Sequence, residues 1–515
     1  MGGAQSEELQ GPDLKDGVAI ANLNENAPFL GHVDGAQVIL VKTGEEILAV
    51  SANCKHYGGP LAEGLVAQGS VRCPWHHARY DLRTGRNVGA PGLDSLSCYA
   101  VERRGDEVKV TGKREVATPV APTGAPERVV IIGAGAAGEA CAETLRQEGY
   151  VGEITMFGND EPFTVDRPNL SKDYLAGEAP EEWLPVRGDD FFDAHRITFS
   201  REEVTAVDAR NKQVEAGGAR YPYDVLVLAT GAAARVLPTP GADKAHVHTL
   251  RTLSDAQNIV HAVEEGAKTA VIIGAGFIGL EAAASLGRQG LEVRVVAPDE
   301  KPLARVMGEQ VGAFVQSIHE RNGVVFHLEH TVAEIGDGEV TLDDGTILAA
   351  DLVVMGVGVI PNTSLAEAAG LEVDRGVVVD ENLCTSDASI FAAGDIAKFP
   401  YRGSKVRVEH WVVAQRQGQA VARNILGRGG AFTEVPFFWS HHWDVGLSYV
   451  GHATTTEHIT VHGSLEDGDA AVVYRDDDGN VQAILTVGRD ALALRAEYLL
   501  ELGDVDALER ALGNA

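Results

Sequence analysis

The stretch RVVIIGAGAAGEACAETLRQEG, residues 128–149, runs from a β-branched strand through a turn carrying Gly133, Gly135 and Gly138 into an alanine-rich helix. Such a turn lets the backbone approach a pyrophosphate held at the helix N-terminus, where unsatisfied N–H groups and the helix dipole favour an anion. A single fingerprint of this kind is weak. It returns at 270–290 as AVIIGAGFIGLEAAASLGRQG, with Gly274, Gly276 and Gly279 in the same places. Two dinucleotide-type α/β folds are therefore expected.

Strands alternating with helices continue outward to about Arg428, through YDVLVLATG (223–231), DLVVMGVGVIPN (351–362) and IFAAGDIA (390–397). The first glycine loop is accompanied by LATGA (228–232) and by FAAGD ending at Asp395. That combination is the pattern of flavoproteins in which the Asp carboxylate accepts a ribityl hydroxyl, so FAD is expected against Gly133, Ala134, Gly135, Ala136, Ala137 and Gly138. Asn159 and Asp160 end the second strand and are candidates for the adenosine ribose, or else solvated loop residues. Arg167 and Lys172 of DRPNLSK put positive charge close to the flavin loop, where it favours reduction.

The inner block sits inside the FAD-type fold as an insertion, the way pyridine nucleotide reductases carry their NAD(P)H domain. Asp299, beyond VRVVAP, can bond a ribose 2′-OH and repel a 2′-phosphate, which favours NADH over NADPH; Lys301 and Arg305 pull the other way. Gly358 joins Gly274, Gly276, Ile278, Gly279 and Arg305 as a candidate nucleotide contact. Phe277 and Glu281 are expected in the first turn of the helix, either as core and capping residues or, more sharply, with Phe277 at the nicotinamide and Glu281 paired to Lys172. On that reading Lys172 and Glu281 are the candidate catalytic pair beside flavin N5. A further helix is expected to begin at Glu409, His410 and Trp411, its first turn aimed at the flavin pyrimidine ring. No Cys-x4-Cys follows the first loop and Cys141 stands alone on its helix, so a redox-active disulfide is excluded and electrons must leave by another route.

Upstream, NCKHYGGPLAEGLVAQGSVRCPWHHARYDL (53–82) concentrates two of the chain's five cysteines beside histidines. The order Cys54-x-His56 and Cys73-x-x-His76 alternates Cys and His, whereas zinc fingers group a cysteine pair and then a histidine pair. Alternation suits a two-metal centre in which one iron takes both cysteines and the other both histidines, the arrangement of a Rieske 2Fe–2S cluster. His77 adjoins His76 and can be mistaken for a ligand; spacing favours His76.

A length of 515 residues calls for several cores, since single cores stop growing at roughly 250–300 residues. The formal charge of −32 opposes nucleic acid and anionic lipid, no apolar run reaches the ~20 residues of a membrane span, and the odd set of cysteines fits a reducing compartment, so a cytoplasmic protein is expected. Short alternating runs such as AQVILVKT and DEVKVTG mark an all-β domain over 13–113, followed by a Pro- and Ala-rich tether at 114–126. The FAD-binding domain is expected at 127–245 and 375–430, the NAD(P)H-binding domain at 246–374, and a C-terminal α+β domain with an antiparallel sheet at 431–515. The fold class is thus multidomain, with an all-β Rieske domain ahead of two Rossmann-like α/β domains and this last unit.

The whole chain resembles the apoptosis-inducing-factor-like oxidoreductases that carry an N-terminal Rieske domain, relatives of the ferredoxin and rubredoxin reductases of oxygenase systems. The resemblance rests on CPW, GLDSL, GAGAAG, CAETLRQEG, DRPNLSK, GAGFIG, FAAGD, the HW at His410 and FFWS at Trp439. It implies FAD held by the first glycine loop, Arg167, Lys172, Arg235, Asp395 and the Glu409–Trp411 segment, with Trp439 near the flavin; Val204 is counted with these contacts. Ferredoxin-type Rieske loops commonly read Cys-Pro-x-His-Gly, so His77 stands where glycine is usual and must accept a positive φ if that turn requires one. Cytochrome bc-type Rieske domains add a cysteine to each loop and a serine where Ala78 stands, so a lower potential is implied, with Tyr80 available to donate to a cluster sulfur. The implied activity is electron transfer from NADH to FAD, then to the cluster and an external acceptor such as a ferredoxin, cytochrome, oxygenase or quinone. Two other readings are a reductase whose flavin serves a ferredoxin or quinone directly, and an NADH-responsive redox sensor; a homodimer is left open.

Overall fold

The computed structural model describes residues 9–158, 164–188 and 190–513, so the candidates Asn159 and Asp160 lie outside the described residues. The N-terminal unit is a six-stranded antiparallel sheet in the order Val18–Ala19, Glu107–Arg114, Cys98–Arg104, Glu46–Ser51, Ala36–Thr43, Pro28–Val33. Its strand Ala36–Thr43 is apolar on both faces, and alternation divides the residues: Val38 and Leu40 enter one core, while Ile39 and Val41 enter a second that also contains Cys54, Leu61, Cys73 and Tyr80. That second core is the base of a smaller four-stranded sheet, Leu65–Ala67, Ser70–Arg72, Arg79–Asp81 and Asn87–Gly89, which carries the second Cys-His loop.

The two glycine fingerprints each open a parallel sheet. The first has the order Ile197–Ser200, Glu153–Phe157, Arg128–Ile132, Val225–Leu228, Ile390–Ala392, and the second Val247–Thr249, Leu352–Met355, Thr269–Ile273, Glu292–Ala297, Val325–Leu328. In both, the strand feeding the glycine turn is central and almost wholly buried, as β-branched runs in parallel sheets must be. The helix Ala136–Gln147 packs against the helix Trp411–Ile425 closely enough that a Cβ on Gly418 would lie 2.1 Å from the Ala137 carbonyl oxygen. The short antiparallel pair Ala232–Ala234 and Val359–Pro361 ties the two α/β units where the chain crosses between them.

The C-terminal unit is a five-stranded antiparallel sheet, Phe437–His442, Val445–Gly451, Val481–Val487, Asp469–Arg475, His458–Ser464, closed by helices Asp490–Leu502 and Val505–Gly513. No described helix is long and apolar enough to cross a membrane. Two expectations shift. The helix expected to open with Glu409 starts at Trp411, with His410 as extended N-cap, because the preceding residues pair as a strand and lead in extended backbone. Glu281 lies in the second turn of the helix Phe277–Arg288 rather than its first, since Gly276 caps it.

Candidate functional site

The two Cys-His loops meet. The Cys54 and Cys73 thiols hydrogen-bond one another: that bond lowers Cys54 to about 7 against burial, and the same bond together with burial raises Cys73. His56 Nδ1 and His76 Nδ1 face each other at 3.1 Å. Burial alone lowers His56 to about 3, and burial with the neighbouring His56 lowers His76 well below the ordinary value, so both imidazoles are neutral and able to ligate. The donors are sorted as two sulfurs together and two nitrogens together. No three of these four donor atoms all lie within 4.8 Å of one another, as ligands of a single zinc ion would; among the described residues the group that does is His330, Asp343 and Asp344, at the surface. The donor chemistry and its sorting fit a two-iron cluster.

The surrounding groups fit as well. Tyr80 Oη lies 3.2 Å from Cys54 Sγ and accepts from the Lys55 N–H at 3.0 Å. A Cβ on Gly59 would sit 2.7 Å from Cys73 Sγ, so that position admits no side chain. His77 takes a φ of 61°, turns away from the other histidines, and donates from Nδ1 to Glu497 Oε2 at 2.8 Å while stacking on Phe437.

The second element is a half-open cavity between the two helix N-termini. Gly135, Ala136 and Ala137 line it from the first helix, Phe277, Ile278 and Glu281 from the second, and Arg167, Lys172, Asp395, Glu409, His410, Trp411 and Trp439 from other segments. Neither Gly135 nor Gly276 supplies a side-chain cap, so the first N–H groups of both helices remain available to an anion. In the first loop Gly133 has φ 110° and a Cβ on Gly138 would stand 1.9 Å from the Gly133 carbonyl oxygen. His410 Nδ1 is buried without a partner at this wall. The lining charges and the free N–H groups of the two helix N-termini fit a dinucleotide.

Lys172 Nζ donates to Glu281 Oε2 at 2.8 Å inside the cavity. Arg251, which sequence reasoning did not single out, donates from Nη2 to Asp395 Oδ2 at 2.5 Å and lines the same wall. Phe277 packs edge-on against Phe438, and Phe438 against His410. Not every candidate reaches the cavity wall. Gly133, Ala134 and Gly138 shape the first loop from beneath, while Gly274, Gly276 and Gly279 do the same for the second. Asp299 pairs with Arg305 at the end of the strand Glu292–Ala297, outside the cavity. Arg235 is exposed and its N–H donates to the Gly358 carbonyl at the crossing between the α/β units; Val204 opens an outlying strand. The structure does not bring Val204, Arg235 or Gly358 to the cavity wall.

The cluster loops and the cavity share one residue. Trp439 lines the cavity and its ring stands 4.1 Å, centroid to centroid, from His76 and 6.0 Å from His56. Beside it the Tyr57 hydroxyl donates to Asp166 Oδ2, next to the cavity residue Arg167. A buried polar network holds this docking. Arg416 Nη1 reaches Glu497 Oε1 at 2.6 Å, its Nη2 donates to the His77 carbonyl, Arg72 reaches Glu501 at 2.6 Å, and the Ala90 N–H donates to Gln419 Oε1 at 2.9 Å.

Residues 127–418 match the family model of pyridine nucleotide-disulphide oxidoreductases, and residues 17–100 that of the Rieske [2Fe-2S] domain. The chain is 34% identical to apoptosis-inducing factor 3 of Mus musculus, over 91% of this chain and 80% of that protein. It is 37% identical to the ferredoxin–NAD(+) reductase component of the anthranilate 1,2-dioxygenase system of Burkholderia cepacia, over 71% of this chain and 92% of that protein. Among solved structures, the covalent putidaredoxin reductase–putidaredoxin complex superposes with a TM-score of 0.70 at 36% identity, covering 73% of this chain and 93% of the other. The five cysteines are all free, so the disulphide of the family name has no counterpart here. The chain belongs to the pyridine nucleotide-disulphide oxidoreductase family and is an oxidoreductase of the ferredoxin reductase type, with FAD, NADH and a Rieske 2Fe–2S cluster as its redox groups.

Proposed function

We propose that this chain takes electrons from NADH at the cavity, passes them to its own Rieske cluster, and delivers them singly to an external acceptor. When bound, FAD supplies the exchange between two-electron and one-electron carriers. The observation that carries the reading is Trp439, which lines the cavity and packs against His76.

The chain's residues divide the work. Cys54 and Cys73 would hold one iron, and His56 and His76 the other. The first glycine loop would receive the FAD pyrophosphate and the second that of NADH, each on an uncapped helix N-terminus. Lys172 brings positive charge to the reacting end, and Glu281 keeps its ammonium in place. Phe277, backed by Phe438, would close the nicotinamide side. The buried docking disfavours a reading in which the external acceptor meets the cavity directly, because the Rieske domain and Trp439 cover that wall.

The test is anaerobic addition of one equivalent of NADH in a stopped-flow spectrometer, with EPR of frozen samples. Cluster reduction within the turnover time supports the route, and Trp439→Leu should slow cluster reduction more than it slows loss of the oxidised flavin band. A cluster that stays oxidised while an external acceptor is reduced at full rate refutes it.

A further inference from the structure

Glu281 has two sides. On the cavity side Oε2 accepts from Lys172 Nζ at 2.8 Å and Ser171 Oγ at 2.5 Å. On the far side Oε1 accepts from Ser440 Oγ at 2.6 Å. Behind Ser440, His442 Nε2 lies 3.2 Å from the serine oxygen, and His442 Nδ1 lies 3.2 Å from His319 Nε2. Both histidines are wholly buried, and His319 Nδ1 has no hydrogen-bond partner. The line joins the helix Phe277–Arg288, the strand Phe437–His442 and the helix Glu309–Arg321.

Chemistry fixes the direction of this line. An ionised carboxylate only accepts, so Ser440 donates to it; the serine oxygen then receives His442 Nε2–H, and bare His442 Nδ1 receives His319 Nε2–H. His319 Nδ1 is left as the open acceptor, the kind of buried atom an internal water satisfies. A proton arriving at His319 Nδ1 shifts each hydrogen one place: His319 gives Nε2–H to His442 Nδ1, His442 gives Nε2–H to Ser440, and Ser440 gives its hydrogen to Glu281. One N–H or O–H forms for each that breaks, and both imidazoles begin and end neutral. This matters because burial first, with Lys172 second for His442 and His442 second for His319, pushes both rings down to about 3. Burial disfavours a resident imidazolium, whereas concerted exchange between neutral tautomers carries no buried charge.

We propose that His319, His442 and Ser440 form a buried proton relay that loads one proton onto Glu281 when a hydride enters the cavity and returns it when the electrons leave. A hydride brings one net negative charge. Lys172 then faces two anions, and neutralising Glu281 frees the ammonium for the new one. The uptake balances as NADH plus one solvent proton giving NAD+, a hydride held by the flavin that would occupy the cavity, and a neutral Glu281; loss of two electrons to the acceptor releases the hydride's proton and returns the relayed one. The three relay residues act through Glu281 rather than on a substrate. The inference rests on the proposed function in placing the hydride beside Lys172.

Two measurements on the holoprotein test it. In 15N-histidine spectra, with His319→Gln and His442→Gln for assignment, both rings should be Nε2–H tautomers at rest and Nδ1–H tautomers after reduction. Redox-difference infrared spectra should gain a protonated-carboxyl band that Glu281→Gln lacks, and Ser440→Ala should slow its appearance relative to reduction by about 100-fold, the low end of losses on removing a proton-transfer group. Resting Nδ1–H tautomers, an imidazolium, or a carboxyl band that keeps pace with reduction in Ser440→Ala would overturn the relay. Reduction is driven separately by NADH and by dithionite: signals with dithionite but not NADH overturn the proposed donor, whereas silence with dithionite overturns the relay itself.

Discussion

Glu497 is the residue whose loss should release the Rieske domain from the body of the protein. Its carboxylate is fully buried, and its oxygens bind Arg416 Nη1 at 2.6 Å and His77 Nδ1 at 2.8 Å. Burial alone would raise its pKa, yet the charge of Arg416 and the His77 contact hold it well below the ordinary carboxylate range. Glu497→Ala leaves Arg416 buried against the remaining, more distant Glu434 at 3.6 Å. Breaking a buried pair in this way costs about 3–5 kcal/mol; Arg416 and Glu497 both belong to the larger unit, so undocking relieves that cost by exposing Arg416 to water, and the docked-to-undocked ratio falls by up to roughly two to four orders of magnitude. The Ala90 amide reports it directly, because its hydrogen bond crosses the interface to Gln419 Oε1. Hydrogen exchange at Ala90 should lose a comparable factor of protection, and cluster reduction by NADH should slow. Adding Arg416→Met removes the orphaned cation together with its bonds to the His77 and Ala90 carbonyls, and should recover part of the loss. Ala90 protection within about tenfold of the parent in Glu497→Ala, under 1.4 kcal/mol, would refute the view that this network holds the domains together.

Three other outcomes are expected. Because the folded-state pKa of Glu497 is depressed, its contribution to docking is fully present above its ordinary value near 4.5 and disappears only as pH falls through the lower folded value; Ala90 exchange, corrected for its intrinsic rate, should therefore show no Glu497-linked loss between pH 7 and 5. Gly138→Ala drives a Cβ to 1.9 Å from a carbonyl oxygen and should give protein lacking flavin absorbance but keeping the Rieske EPR signal, whereas Gly59→Ala, at 2.7 Å from Cys73 Sγ, should do the reverse. Burial raises Asp166 to about 6 with the Tyr57 hydrogen bond opposing, so Tyr57→Phe should raise it further, by about the 1.5–3 kcal/mol of a bond to a charged group, read as the pH at which its carboxyl infrared band appears.

What the sequence disclosed was local. Both glycine turns, the meeting of Cys54 with Cys73 and of His56 with His76, and the pairing of Lys172 with Glu281 were legible because short motifs impose their own backbone geometry. His77 shows the limit: its positive φ could be anticipated from the loop pattern, but not its turn toward Glu497, 420 residues further on. Arg251 on Asp395 and the line from Glu281 to His319 were equally hidden, since a buried polar group finds its partner through tertiary packing and carries no spacing signal. Val204, Arg235 and Gly358 lie off the cavity wall, a placement the sequence pattern does not show.

The 114–126 segment leaves the Rieske unit and runs along the body, where Arg428 binds the Val120 carbonyl and the Pro119 carbonyl lies 1.9 Å from where a Gly149 Cβ would stand. Orientation, however, is set elsewhere, by the side chains that cross between Arg72, His77, Ala90 and the helices of the larger unit. Covalent connection thus guarantees stoichiometry more than geometry. A single proteolytic nick at Val120, whose side chain is exposed, should yield two fragments that travel together as one particle.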